Sequence, residues 1–124
     1  MEHDKVKRSR EFTLELIKFY KSFIGSSSDA IKILVNIQKN YENEYKIMEE
    51  LKDDPTILDE LTNKLSPEEK NALILVFVKA SGIGRKMNKL FELSVNEKEA
   101  LIDELNKFAE FVEKTLKELI KEKS

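Results

Sequence analysis

The 124-residue chain has no cysteine, one histidine, two prolines and three glycines. Without cysteine, disulfides, thiolate nucleophiles and Cys-based zinc sites are excluded. The one histidine is His3, at the extreme N-terminus. Ser-His-Asp catalysis, HExxH metal chemistry and His-ligated di-iron sites therefore have almost nothing to build on. No paired acids, no nucleophile with a base and no Walker-type phosphate loop are visible, so a non-enzymatic protein without cofactor or metal is expected. So few glycines and prolines leave little room for sharp turns, which points to long helices. The longest apolar run is Ala72–Val78, seven residues. That is too short to span a bilayer. The charged N-terminus has no apolar segment behind it, so no signal peptide is read and a soluble, cytoplasmic protein with no membrane partner is expected.

What is abundant is charge. Lys and Arg number 22 against 24 Asp and Glu, for a net charge of −2, and hydrophobic residues make up 40%. That hydrophobic share supports one folded domain over residues 1–124. The near-neutral balance argues against a polybasic nucleic-acid coat protein. A Lys/Glu-rich chain with one Gln has a thermophilic cast, against which its eight Asn residues count.

Apolar periodicity predicts an all-α antiparallel bundle of four longer helices plus one or two short ones. The first runs from about Asp4 to Ile24, with Phe12, Leu16, Phe19 and Phe23 on a broad face flanked by Ile17, Tyr20 and Ile24. Gly25 reads as its left-handed stop. One of Ser26, Ser27, Ser28 and Asp29 should cap the second helix, Ala30 to about Asp53, whose stripe is Ala30, Leu34, Ile37, Tyr41, Tyr45 and Met48. Asp54 and Pro55 open a short third helix to Leu65. Ser66-Pro67-Glu68-Glu69 is a capping box, and the run Ala72–Val78 behind it reads as a helix buried nearly all round. Gly82 and Gly84 interrupt that helix, and a shorter one resumes from about Arg85 to Leu93. Ser94-Val95-Asn96-Glu97 is a second capping box, opening a last helix to about Lys121 with Leu101, Leu105, Phe108, Val112, Leu116 and Leu119 on one face. Residues 65–74 and 93–102 are identical at seven of ten positions, which two similar helix starts explain. Leu73, Val76, Phe77, Leu105, Phe108 and Val112 are expected in one core.

The most informative local feature is Lys79-Ala80-Ser81-Gly82-Ile83-Gly84-Arg85-Lys86-Met87-Asn88-Lys89, with four basic residues and no acid. Phe77, Ala80, Gly82-Ile83-Gly84, Lys86 and Phe91 resemble the hairpin of helix-hairpin-helix DNA-binding motifs, departing at Ser81 and Asn88. The resemblance implies an anion or nucleic-acid site at Lys79, Gly82, Ile83, Gly84, Arg85, Lys86 and Lys89. Backbone N–H groups of the glycine turn would donate to a phosphate while Lys or Arg assists. The plain alternative is an interhelical turn solvated by its cations. Glu42, Glu44, Glu49, Glu50, Asp53 and Asp54 cluster on the second helix, either as a cation-binding or basic-partner surface or as a solvated face. Tyr41 and Tyr45 read as core-edge residues.

The leading expectation is a helical interaction, adaptor or regulatory protein with a protein partner. The alternative is a nucleic-acid-binding module that grips the phosphate backbone. Self-association, most simply a homodimer, follows from the breadth of the Phe12, Phe19, Tyr20 and Phe23 face.

Overall fold

The computed structural model describes residues 2–54 and 56–123, with side chains over 6–51, 53–54, 56–60 and 62–117. The side chains of His3, Leu61 and Leu119, and all of Pro55, lie outside the described residues. Every described element is helical: α1 (Glu2–Ile24), α2 (Asp29–Asn40), α3 (Glu42–Asp53), α4 (Ile57–Thr62), α5 (Pro67–Asn88) and α6 (Val95–Lys123), with a single 3-10 turn, Leu90–Glu92, between the last two. The chain is therefore an all-α bundle, as its periodicity predicts. Among the described residues no helix is long and apolar enough to cross a membrane.

Both capping boxes form. Ser66 Oγ accepts from the Glu69 N–H at 3.2 Å while Glu69 Oε1 accepts from the Ser66 N–H at 3.3 Å. Ser94 and Glu97 repeat the exchange at 3.2 and 3.4 Å. Each satisfies two donors that a helix start leaves free. The end of α1 is displaced by one residue from the expected stop. Gly25 keeps a negative φ, and Ser26 takes the left-handed conformation at φ 55°. Ser27 N–H then reaches the Ser22 carbonyl at 2.8 Å and Ser26 N–H reaches the Phe23 carbonyl at 3.1 Å, the two bonds of a Schellman ending. Ser27 Oγ accepts from the Asp29 N–H at 3.2 Å and so starts α2.

The long second helix expected from the stripe is two helices. The chain bends at Tyr41, where φ is −129° and ψ 41°. Hydrogen bonds of helical spacing still cross the bend, from Tyr41 N–H to Ile37 and from Tyr45 N–H to Tyr41, so the apolar period is not disturbed. A tertiary contact accompanies the bend. Arg8 Nη2 donates to the Asn40 carbonyl at 2.8 Å, and the guanidinium lies 5.2 Å from the centroid of the Tyr41 ring. The short helix beyond α3 is also trimmed to Ile57–Thr62, with Asp54 Oδ1 accepting from the Thr56 N–H at 3.1 Å.

α1 is the central helix, packed chiefly on α6 and α2, while α5 packs on α6. Pairing runs antiparallel: Lys79 meets Phe111 and Lys86 meets Glu104 across α5 and α6. One core joins Val6 and Ile17 of α1 to Leu73, Val76 and Ile83 of α5 and to Leu105, Phe108, Val112 and Leu116 of α6. Phe77 packs on its edge, half-buried. A second, smaller core holds Phe12, Leu16 and Ile37, with Phe19, Tyr41, Tyr45 and Met48 against it. The broad face of α1 is thus largely consumed inside the chain; only Phe23, 40% exposed, remains outward. The run 72–78 is not buried all round, since Leu75 and Val78 face solvent on the side of α5 that meets no other helix.

The largest correction concerns the glycines. α5 runs unbroken through Gly82 and Gly84 to Asn88, so neither the turn nor the separate helix from Arg85 exists. Neither glycine has a positive φ. An apolar stripe explains the continuity: Val76, Ala80, Ile83, Met87 and Leu90 follow at steps of 4, 3, 4 and 3. Packing of that stripe overrides the weak helix propensity of glycine. Apart from its chain neighbours and the adjacent helical backbone, no atom lies within 4 Å of the position that a Cβ on Gly82 would take. Gly82→Ala should therefore stabilise the protein by about 0.5–1 kcal/mol in urea titration, the helical cost of glycine removed. A loss of stability would mean that the backbone there is not helical.

Candidate functional site: grooves on the two sides of α5

Continuity of α5 scatters the residues expected to form one anion site. Lys79, Gly82, Ile83 and Lys86 line a groove of 570 Å³ against α6, together with Asp103, Glu104 and Lys107. Gly84 and Arg85 face the opposite way, toward α3. Lys89 is the C-cap residue, exposed, with its N–H bonded back to Lys86 and Met87. The backbone N–H groups at 82–86 sit in mid-helix, where the helical ladder uses them, and no helix N-terminus opens beside them. The cations sit instead in the last turn of α5, where Arg85 and Lys86 oppose the negative end of the helix dipole. In the α6 groove the charges pair off. Lys86 Nζ lies 2.7 Å from Glu104 Oε2, Lys107 Nζ 3.2 Å from Asp103 Oδ2, and Lys79 Nζ 5.1 Å from the centroid of the Phe111 ring. The hairpin geometry that the helix-hairpin-helix resemblance requires is absent.

At least two of the six acids clustered on α3 and its end are paired. Glu44 accepts from Arg8, and Glu42 lies 3.4 Å from Lys46. Among the described residues no group of three acids or histidines could hold a metal ion. Tyr41 and Tyr45 sit at the edge of the smaller core, as expected; Tyr41 packs its ring on Phe12 at 6.1 Å. Arg8 escapes a reading of the sequence, because its partners stand 32 and 36 residues away. No local pattern marks such a contact.

The other side of α5 carries a second set of cavities. α3 and α5 do not pack tightly on each other; cavities separate them. One, of 580 Å³, has a floor of Ile47, Leu65, Leu73 and Phe77 and a rim that includes Arg8, Glu44 and Glu50. The next, of 400 Å³, lies between Met48 and Leu51 of α3 and Ala80, Ser81 and Gly84 of α5, and shares Phe77 with the first. A third, of 220 Å³, continues beneath Tyr20 and Met48 toward Phe19 and Phe23. The result is a trough between α3 and α5, with Tyr20 of α1 at its inner wall, within the size range of ligand-binding clefts. A Cβ on Gly84 would meet the Tyr20 phenol oxygen at 3.9 Å, an ordinary van der Waals contact.

Burial at the trough pushes the Tyr20 phenol up from its ordinary 10 to about 12, with Glu49 and Tyr45 adding to the shift. The folded state favours the neutral phenol. Its contribution is therefore fully present below pH 10 and is lost as pH rises from 10 toward about 12. Between about pH 9 and pH 11.5 the wild-type chain should lose about 2 kcal/mol more stability than Tyr20→Phe does. Urea titrations of both proteins at the two pH values check this; parallel losses would mean that Tyr20 ionises as freely as in the unfolded chain.

Comparison with protein-family models, with curated proteins and with solved structures gave no match for this chain.

Proposed function

We propose that the chain is a non-enzymatic helical interaction protein that receives an apolar helix of a protein partner in the trough between α3 and α5. The observation that carries this reading is the row of neighbouring cavities along α5, which share Phe77, Met48 and Gly84 among their lining residues. Leu73, Phe77, Ser81, Gly84 and Asn88 line it at steps of 4, 4, 3 and 4. Together those steps amount to about 22 Å of helix, the length of roughly four turns. Its middle is lined by the small residues Ala80, Ser81 and Gly84, which let a guest backbone come close. Among the charges that line it, Arg8 is paired with Glu44 and Lys46 with Glu42 outside the cavity, and the floor is apolar, so recognition rests chiefly on shape and apolar contact. A guest would present side chains at i, i+3 or i+4, and i+7.

A random peptide library displayed against the full chain tests this. Enriched sequences should carry that apolar spacing. Their binding should be lost on Leu51→Glu in the trough and kept on Ile31→Glu, which alters a residue 74% exposed on the outer face of α2. Peptides without helical spacing, or peptides indifferent to Leu51→Glu, would contradict it.

A further inference from the structure

α3 is held differently from the helices around it. None of its described side chains is buried, whereas α1, α2, α5 and α6 each bury at least two. Its inner residues Tyr45 and Met48 rest half-buried on Phe12 and Leu16, and its α5 side faces cavities. Non-helical backbone bounds it at both ends, at Tyr41 and at Asp54, where φ is −141° and ψ 89°. A side chain from α1 reaches across to it. Arg8 Nε and Nη2 donate to Glu44 Oε1 at 2.9 and 2.7 Å, and Nη2 also donates to the Asn40 carbonyl at 2.8 Å. The guanidinium therefore grips both sides of the Tyr41 bend at once.

We propose that α3 is a hinged lid over the trough and that Arg8 is its latch. Swinging about Tyr41 and Asp54, the lid uncovers Phe77 and the edge of the main core at Leu65 and Leu73, and leaves the contacts between α1 and α6 in place. Few buried contacts and an ordered polar fastening are the marks of a segment that opens below the global unfolding free energy. The latch is half in water, with the Arg8 side chain 49% exposed and that of Glu44 15%, so its strength suits a lid that opens often. As regulation of the trough, the device rests on the function proposed above for its purpose; the motion itself is measurable with no partner present.

The absence of cysteine makes the test clean, because an introduced thiol is the only one in the chain. Leu73→Cys places it beneath the lid, at a position 3% exposed, and Leu105→Cys places a control in the core, at 0%. The full-length variants are treated with an aromatic disulfide reagent and labelling is timed. Arg8→Ala should speed labelling at position 73 about three- to tenfold and leave position 105 unchanged, with Arg8→Lys falling between. Phe77→Cys, at a half-buried site, gives the same comparison should Leu73→Cys not fold. Equal acceleration at both positions, meaning general loosening, or no acceleration at position 73, would overturn the lid. Acceleration at 73 alone, with no helical peptide selected by the chain, would keep the lid and remove the docking reading.

Discussion

Phe108→Ala should cost about 3–5 kcal/mol, a large share of the stability of a domain this size. Phe108 is 6% exposed and stands in the core where α5 meets α6, among the buried Leu73, Val76, Leu105 and Val112. Removing its ring forfeits the transfer free energy of the aromatic carbons and leaves a void that two long helices cannot close without bending. Phe77→Ala makes the informative contrast. Phe77 is half-buried and already borders two cavities, so its neighbours lose fewer contacts and the cost should be well below that of Phe108. Urea titration of the two variants measures both. Equal losses would mean that the trough is closed and Phe77 is a full member of the core.

Ile37→Ala should cost about 2–4 kcal/mol. Ile37 is 0% exposed and, with Phe12 and Leu16, makes the whole buried part of the smaller core. It and Ala30 are the buried residues of α2. Ile31 and Val35 lie on the same helix at 74% and 55% exposure, and their truncation should change stability by no more than about 0.5 kcal/mol. Urea midpoints for the three variants check the face assignment of α2. A small loss for Ile37→Ala with a large one for Val35→Ala would mean that α2 is rotated from the position described.

α1 and α6 are legible in the sequence because their stripes are long and, for α6, because Ser94 and Glu97 announce the start. Ser66 and Glu69 announce α5 in the same way. The division of α2 from α3 is not legible, because Ile37, Tyr41 and Tyr45 keep helical spacing through it and the contact that spans the bend comes from Arg8 on another helix. The basic glycine segment misleads for a different reason. Gly82 and Gly84 suggest a turn, yet the stripe from Val76 to Leu90 runs past them without a break in period. The positive charge that suggests an anion site is the ordinary complement of a helix C-terminus. The trough is invisible for want of any local signal: a gap between two helices depends on how far α1 and α4 hold them apart.

The trough, its lid and the scattering of the basic residues all depend on α5 being one helix, since its two faces line different grooves only if it does not fold back at the glycines. Backbone amide exchange followed by nuclear magnetic resonance, with ¹³Cα shifts over residues 78–90, tests this most directly. One continuous helix predicts helical shifts without interruption from Val78 to Met87, and amides at Gly82, Ile83, Gly84 and Arg85 protected like those at Val76 and Phe77. Shifts near zero at Gly82 to Gly84, with fast exchange there, would contradict it and return the segment to a turn with free backbone donors.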